Sequence, residues 1–99
     1  MARPRKPRTC GCSFRGRAYH PAGVPVGRLE QIPLAADELE ALRLCDLEGL
    51  TQQEAGRRMG VSRGTVQRTV TRARGKVARA LVQGAALIFT PQPGEGDAP

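Results

Sequence analysis

The strongest constraint on this chain lies at residues 51–81, TQQEAGRRMGVSRGTVQRTVTRARGKVARAL, where two helix starts, a glycine stop and a helically spaced apolar run follow one another. Thr51 with Glu54 forms a capping box: the hydroxyl accepts from the Glu54 amide while the carboxylate reaches back to the Thr51 amide. Leu50, just before the cap, is placed to contact Ala55. A first helix is predicted over about residues 52–59, ending at Gly60, which takes the left-handed conformation without steric cost. Val61 is expected to tuck under the turn. Ser62 then caps a second helix, with Val61 and Val66 at its staple positions. From there Val66, Val70, Ala73, Val77 and Leu81 recur at steps of three or four and make one stripe toward the core. The other faces carry Arg63, Gln67, Arg68, Thr71, Arg72, Arg74, Lys76 and Arg79. Two helices joined by a tight turn, with cations massed on the second, describe a helix-turn-helix that lays its second helix in a DNA major groove.

Charge supports that expectation. The formal net charge is +7, and it is unevenly spread. Residues 1–17 hold six Arg or Lys and no acid, residues 28–48 two cations against six acids, and residues 51–82 eight cations against one acid. Two cationic blocks flanking an acidic helix suit a polyanionic partner. Only three aromatics, Phe14, Tyr19 and Phe89, argue against readers that stack single-stranded or RNA bases on exposed rings, so double-stranded DNA is the expected partner.

A chain of 99 residues makes one small domain without room for a deep substrate cleft, and no enzyme is expected. His20 has no acid or nucleophile beside it other than nearby cysteines, and the glycines form no phosphate loop. No apolar run approaches the length of a membrane span and no secretory leader opens the chain. Three cysteines, an odd number, fit a reducing compartment, so a cytoplasmic location is expected.

In chain order, residues 1–20 form a basic, Pro- and Arg-rich, Cys-containing arm. Its Arg3, Arg5, Lys6 and Arg8 are candidates for the minor groove. Cys10, Cys12 and His20 raise the question of a metal site, but tetrahedral zinc usually takes cysteines two to four residues apart, and here one residue separates them. Cys45 suits a small buried helix position. No metal site is favoured and no cofactor is expected. Residues 21–35 read as an extended linker, in which the segment 28–34 ends near Pro33 and suits only a sheet edge. Residues 36–82 form the helix-turn-helix domain. Its first helix, residues 37 to about 48, opens on Asp37 and Glu38, favourable to the helix dipole, but Ala35 and Ala36 offer no capping acceptor. Leu39, Leu42, Leu44 and Leu47 supply more apolar surface than one stripe needs, enough for the helix pair and for a second subunit. Residues 83–90 contain a short strand from Ala86 to Thr90 that can pair with residues 29–34 within one chain or across a homodimer. Residues 91–99, PQPGEGDAP, read as a disordered tail.

The run LAADELEALRLCDLEGLTQQEAGRRMGVSRGTVQRTVTRARGKVARAL resembles the C-terminal, promoter-reading helix-turn-helix of sigma factors. More closely, RPRKPR, the PAG-P segment, DELEALRL, DLEGLTQQEA, MGVSRGTVQR and LVQGAAL together resemble the small prokaryotic family filed as domain of unknown function 134, over nearly the whole chain. The resemblance implies a mainly α fold: a sigma-like helix-turn-helix bundle of about three helices, with a short β strand pair and disordered termini. It implies a predicted DNA-binding role without a known target. By resemblance a Thr would stand at Ala35 and an Ala at Gly56.

The expected function is a sequence-specific duplex DNA-binding regulator of transcription. Ser62, Arg63, Gln67, Arg68 and Arg72 are assigned to base edges, and Thr51, Gln52, Gln53, Thr65, Thr71 and Arg74 to phosphates. Two alternatives stand beside it: a sigma-like adaptor that touches the transcription machinery through its acidic helix, and a metal- or redox-sensing repressor using Cys10, Cys12 and His20.

Overall fold

The computed structural model describes residues 18–90. Their elements are β1 (Ala18–Tyr19), a single 3-10 turn (Val26–Arg28), β2 (Gln31–Ala35), α1 (Ala36–Leu42), a π turn (Arg43–Leu47), α2 (Gln52–Met59), α3 (Arg63–Gln83) and β3 (Ala86–Thr90). The protein is mainly helical, with three helices and a small sheet, as the sequence predicts. The sheet has one strand more than expected. β3 lies in the middle, parallel to β2 from Gln31↔Ala86 to Ala35↔Thr90 and antiparallel to β1 at Ala18↔Ile88 and Tyr19↔Leu87. β1 has only two residues, too few to show any alternation, so Ala18 and Tyr19 belong to the sheet and not to the arm that the sequence suggests. Pro33 lies on β2, an edge strand where its missing N–H costs least.

Both caps of the helix pair form. The Thr51 hydroxyl accepts from the Glu54 amide at 3.0 Å and the Glu54 carboxylate accepts from the Thr51 amide at 2.9 Å. The Ser62 hydroxyl accepts from the Thr65 amide at 3.1 Å. Gly60 ends α2 at φ 76°, and the Val61 amide donates to the Gly56 carbonyl, a C-terminal closure that only an αL residue permits cheaply. Ala35 offers α1 no side-chain acceptor, but Glu38 completes half a box by accepting from the Ala35 amide at 2.9 Å.

Two apolar clusters hold these elements together. Leu44, Ala55 and Val66 join the π turn, α2 and α3, with Cys45, Leu50 and Met59 against them. Ile32, Leu87, Ala80 and Ala85 join the sheet to the far end of α3, with Val77 against them. Two expectations are corrected. Leu81 does not continue the α3 stripe: it is 73% exposed, and Ala80 is buried instead. Each step of four overshoots the helical period by about 40°, so two in succession, Ala73 to Val77 to Leu81, swing the last residue off the buried face. Val61 does not tuck under the turn but stays 38% exposed, because its backbone is what fills the space against Gly56. A Cβ on Gly56 would stand 2.7 Å from the Val61 carbonyl oxygen.

Candidate nucleic-acid interface

The α2–turn–α3 unit presents the first half of α3 to solvent. Val66, Thr69, Val70 and Ala73 are buried, so at about 100° per residue the opposite face runs through Gly64, Gln67, Arg68 and Thr71. Gln67, Arg68 and Thr71 are exposed, as is Arg63 at the edge of this face. Arg63 and Arg68 have no carboxylate within ion-pair distance among the described residues, and the first turn of α3 contains no acid. Helix N-termini with free amides and nearby cations attract anions.

The second half of α3 is arranged differently. Arg72 donates to one oxygen of Glu38 at 2.7 Å and Lys76 to the other at 2.8 Å. Lys76 also donates to the Pro33 carbonyl at 2.6 Å. Arg74 makes two bonds to Asp46, at 3.0 and 2.8 Å, and Arg79 pairs with Glu30. Each of these cations ties α3 to the acidic segment that precedes α2. Glu38 is 2% exposed. Burial pushes its carboxyl upward, but hydrogen bonds from Lys76, the Ala35 amide and Arg72 outweigh this and hold it below the usual carboxylate value. The Asp46 carboxyl is likewise lowered by its bonds from Arg74, and the Arg74 guanidinium is raised in turn.

Of the residues assigned to bases, Arg63, Gln67 and Arg68 therefore come together on the exposed first half of α3. Ser62 lies beside them, but its oxygen caps the helix and its hydroxyl donates to Thr65 at 3.0 Å. Arg72 is half-exposed and held by Glu38. Of those assigned to phosphates, Thr71 is exposed, Thr65 is half-buried and engaged by Ser62, and Arg74 is engaged by Asp46. Gln52 and Gln53 open α2 with Thr51, where the Glu54 carboxylate already occupies the Thr51 amide. That amide bond, above all, lowers the Glu54 carboxyl, and the resulting negative charge makes the α2 terminus a poorer anion site than the start of α3. Sequence reasoning misses Glu38 as an anchor and passes over Arg57 and Arg58, which are exposed in the last turn of α2. The doubled arginine ahead of Gly60 is the available signal.

Arg3, Arg5, Lys6, Arg8, Cys10 and Cys12 lie outside the described residues, as does the tail. His20 is exposed, with Nδ1 3.0 Å from the Pro21 carbonyl. Cys45 packs on the Leu44 cluster, and burial followed by the charge of Asp46 raises its thiol despite Arg74, which disfavours the thiolate a metal requires. Among the described residues no group of three His, Cys, Asp or Glu side chains is placed to hold a metal, and no helix is long and apolar enough to cross a membrane.

Known relatives match most of this chain. A UPF0251 protein of Vibrio parahaemolyticus is 52% identical over 90% of this chain and 93% of its own. One of Pyrococcus abyssi is 56% identical over 80% of this chain and 73% of its own. One of Halothermothrix orenii is 51% identical over 90% of this chain, which spans 66% of that longer relative. No solved structure matches. The family model described as "Protein of unknown function DUF134" matches residues 1–95, and the chain belongs to that family.

Proposed function

We propose that this protein is a sequence-specific duplex DNA-binding regulator that acts in the cytoplasm, with the first half of α3 in the major groove. The observation that carries the proposal is the division of cations along α3. Arg72, Arg74, Lys76 and Arg79 are spent on carboxylates of their own chain, whereas Arg63 and Arg68, with Gln67 between them, meet none among the described residues. Arg can bond guanine O6 and N7 in pairs and Gln can do so with adenine N6 and N7. Ser62 positions the helix start, Thr71 and the α3 N-terminus meet phosphates, and Arg57 adds charge beside the turn, while Arg58 pairs loosely with Glu48 at 3.9 Å. Arg3, Arg5, Lys6 and Arg8 supply a second cationic contact. No catalytic step is assigned to any residue.

The test is selection of bound fragments from random duplex DNA, followed by titration of the selected site against salt. A defined consensus and an affinity that falls steeply with salt are expected. Failure to enrich any sequence, with weak and salt-insensitive binding, would move the assignment to the adaptor reading.

A further inference from the structure

Side chains from the cap and the first turns of α3 form one hydrogen-bonded chain. The Ser62 oxygen accepts from the Thr65 amide at 3.1 Å, and the Ser62 hydroxyl donates to the Thr65 oxygen at 3.0 Å. The same Thr65 oxygen accepts from Arg68 Nη2 at 3.4 Å. Arg68 therefore lies back along the helix: a Cβ on Gly64, four residues earlier, would stand 3.5 Å from Arg68 Nη1. Four residues are about 6 Å of helix axis, so the guanidinium is carried toward the N-terminal end of α3, the end at which a recognition helix meets base edges.

Arg68 is oriented here without being neutralised. Arg72 and Arg74 are fixed by carboxylates, whereas the group that holds Arg68 is an uncharged hydroxyl. A guanidinium has five N–H donors, and the Thr65 bond takes one of them, which leaves the charge and a two-donor edge for a ligand. Thr65 is half-buried, and a β-branched side chain has few rotamers in a helix. The bond from Ser62 holds the one that turns its oxygen toward Arg68.

We propose that Thr65, held by Ser62, is a positioning residue that sets Arg68 to read a guanine and so determines specificity at that base pair. The inference rests on the DNA-reading function proposed above. Guanine fits because its O6 and N7 together accept both donors of one guanidinium edge. That contact needs a fixed orientation, and fixing it in the free protein reduces the rotamer freedom lost on binding. A phosphate, with oxygens on several sides, asks for no single orientation.

The experiment is a competition titration of the full chain on the selected duplex and its single-base variants. Arg68→Ala locates the base pair by losing guanine preference there. Thr65→Val keeps the shape of the side chain and removes the acceptor. It should lose roughly two- to tenfold of that preference, the cost of leaving one long side chain unfixed, with preference at the other positions and helix content by circular dichroism unchanged. Thr65→Ser should restore the preference, and Thr65→Val should add nothing to Arg68→Ala. A guanine preference that disappears in Arg68→Ala but is intact in Thr65→Val overturns this inference and leaves the DNA-reading proposal standing. So does equal weakening on every duplex by either variant. A wild type that prefers no sequence overturns both.

Discussion

Arg72 donates to Glu38 at 2.7 Å across the gap between α3 and α1, so a cation assigned from sequence to DNA bases is one of the ties that hold α3 in place. Lys76, one turn further on, takes the other oxygen. The pair closes on a carboxylate that is almost fully buried while the cations keep access to water, which spares most of their desolvation cost. Glu38→Ala is expected to destabilise the protein by about 1–3 kcal/mol, the usual range for losing hydrogen bonds to a charged group. The carboxyl is lowered in the folded state, so its contribution is fully present above the unfolded value, near pH 4, and is lost as pH falls through the lower folded value. Urea midpoints of wild type and Glu38→Gln, measured between about pH 6 and pH 3, should converge at the acid end. Parallel curves would remove Glu38 from that role.

The same geometry ranks the arginines by function. Arg63→Ala and Gln67→Ala should each relax preference at one base position, by about 1–3 kcal/mol per bidentate contact, and leave folding unchanged. Arg72→Ala should instead lower thermal stability and weaken all duplexes alike. Competition of each variant against single-base changes of the selected site separates the two patterns; a position-specific defect in Arg72→Ala would reverse the ranking.

Gly56 gives a third expectation. Alanine favours helix by about 1 kcal/mol over glycine, yet here its methyl carbon would meet the Val61 carbonyl oxygen at 2.7 Å. A backbone atom cannot step aside without opening the turn, so Gly56→Ala should cost about 1–3 kcal/mol net. Thermal denaturation decides the sign, and a more stable variant would show that the turn yields easily.

Deleting residues 1–9 removes Arg3, Arg5, Lys6 and Arg8. If these meet phosphates, the plot of log affinity against log salt should become shallower by about 0.9 for each phosphate no longer neutralised. Titrations of the full chain and the shortened one on the same duplex at several salt concentrations measure it, and identical slopes would exclude the arm from the complex.

The parts legible in the sequence are those fixed by local chemistry. Thr51 with Glu54, Gly60 and Ser62 each carry a hydrogen bond or a backbone conformation that depends on a few neighbours, and they locate both helix boundaries. The strand at Ala86–Thr90 is readable from its apolar run after Gly84. What escapes depends on distant partners. Arg72, Arg74, Lys76 and Arg79 look alike in sequence to Arg63 and Arg68, and only the fold brings Glu38, Asp46 and Glu30 to the first group. Glu38 looks in sequence like a dipole-favouring residue of a first turn, a role that needs no burial. Leu81 escapes because spacing by fours drifts off a 3.6-residue period, and Ala18–Tyr19 because a two-residue strand exists only through β3.

The parallel pairing of β2 with β3 makes the sheet a clasp. Between Gln31 and Ala86 lies every helix of the described chain, and the clasp shuts only when its two jaws, far apart in sequence, meet. Loop-closure entropy grows slowly with length, about 0.6 kcal/mol per doubling, so a surface insertion at the Gly49 turn would strain the clasp little. A chain cut at that turn would leave one jaw on each fragment, with Glu30, Glu38 and Asp46 on the first and Arg79, Arg72, Lys76 and Arg74 on the second. The two pieces would carry opposite charges along the seam where they fit.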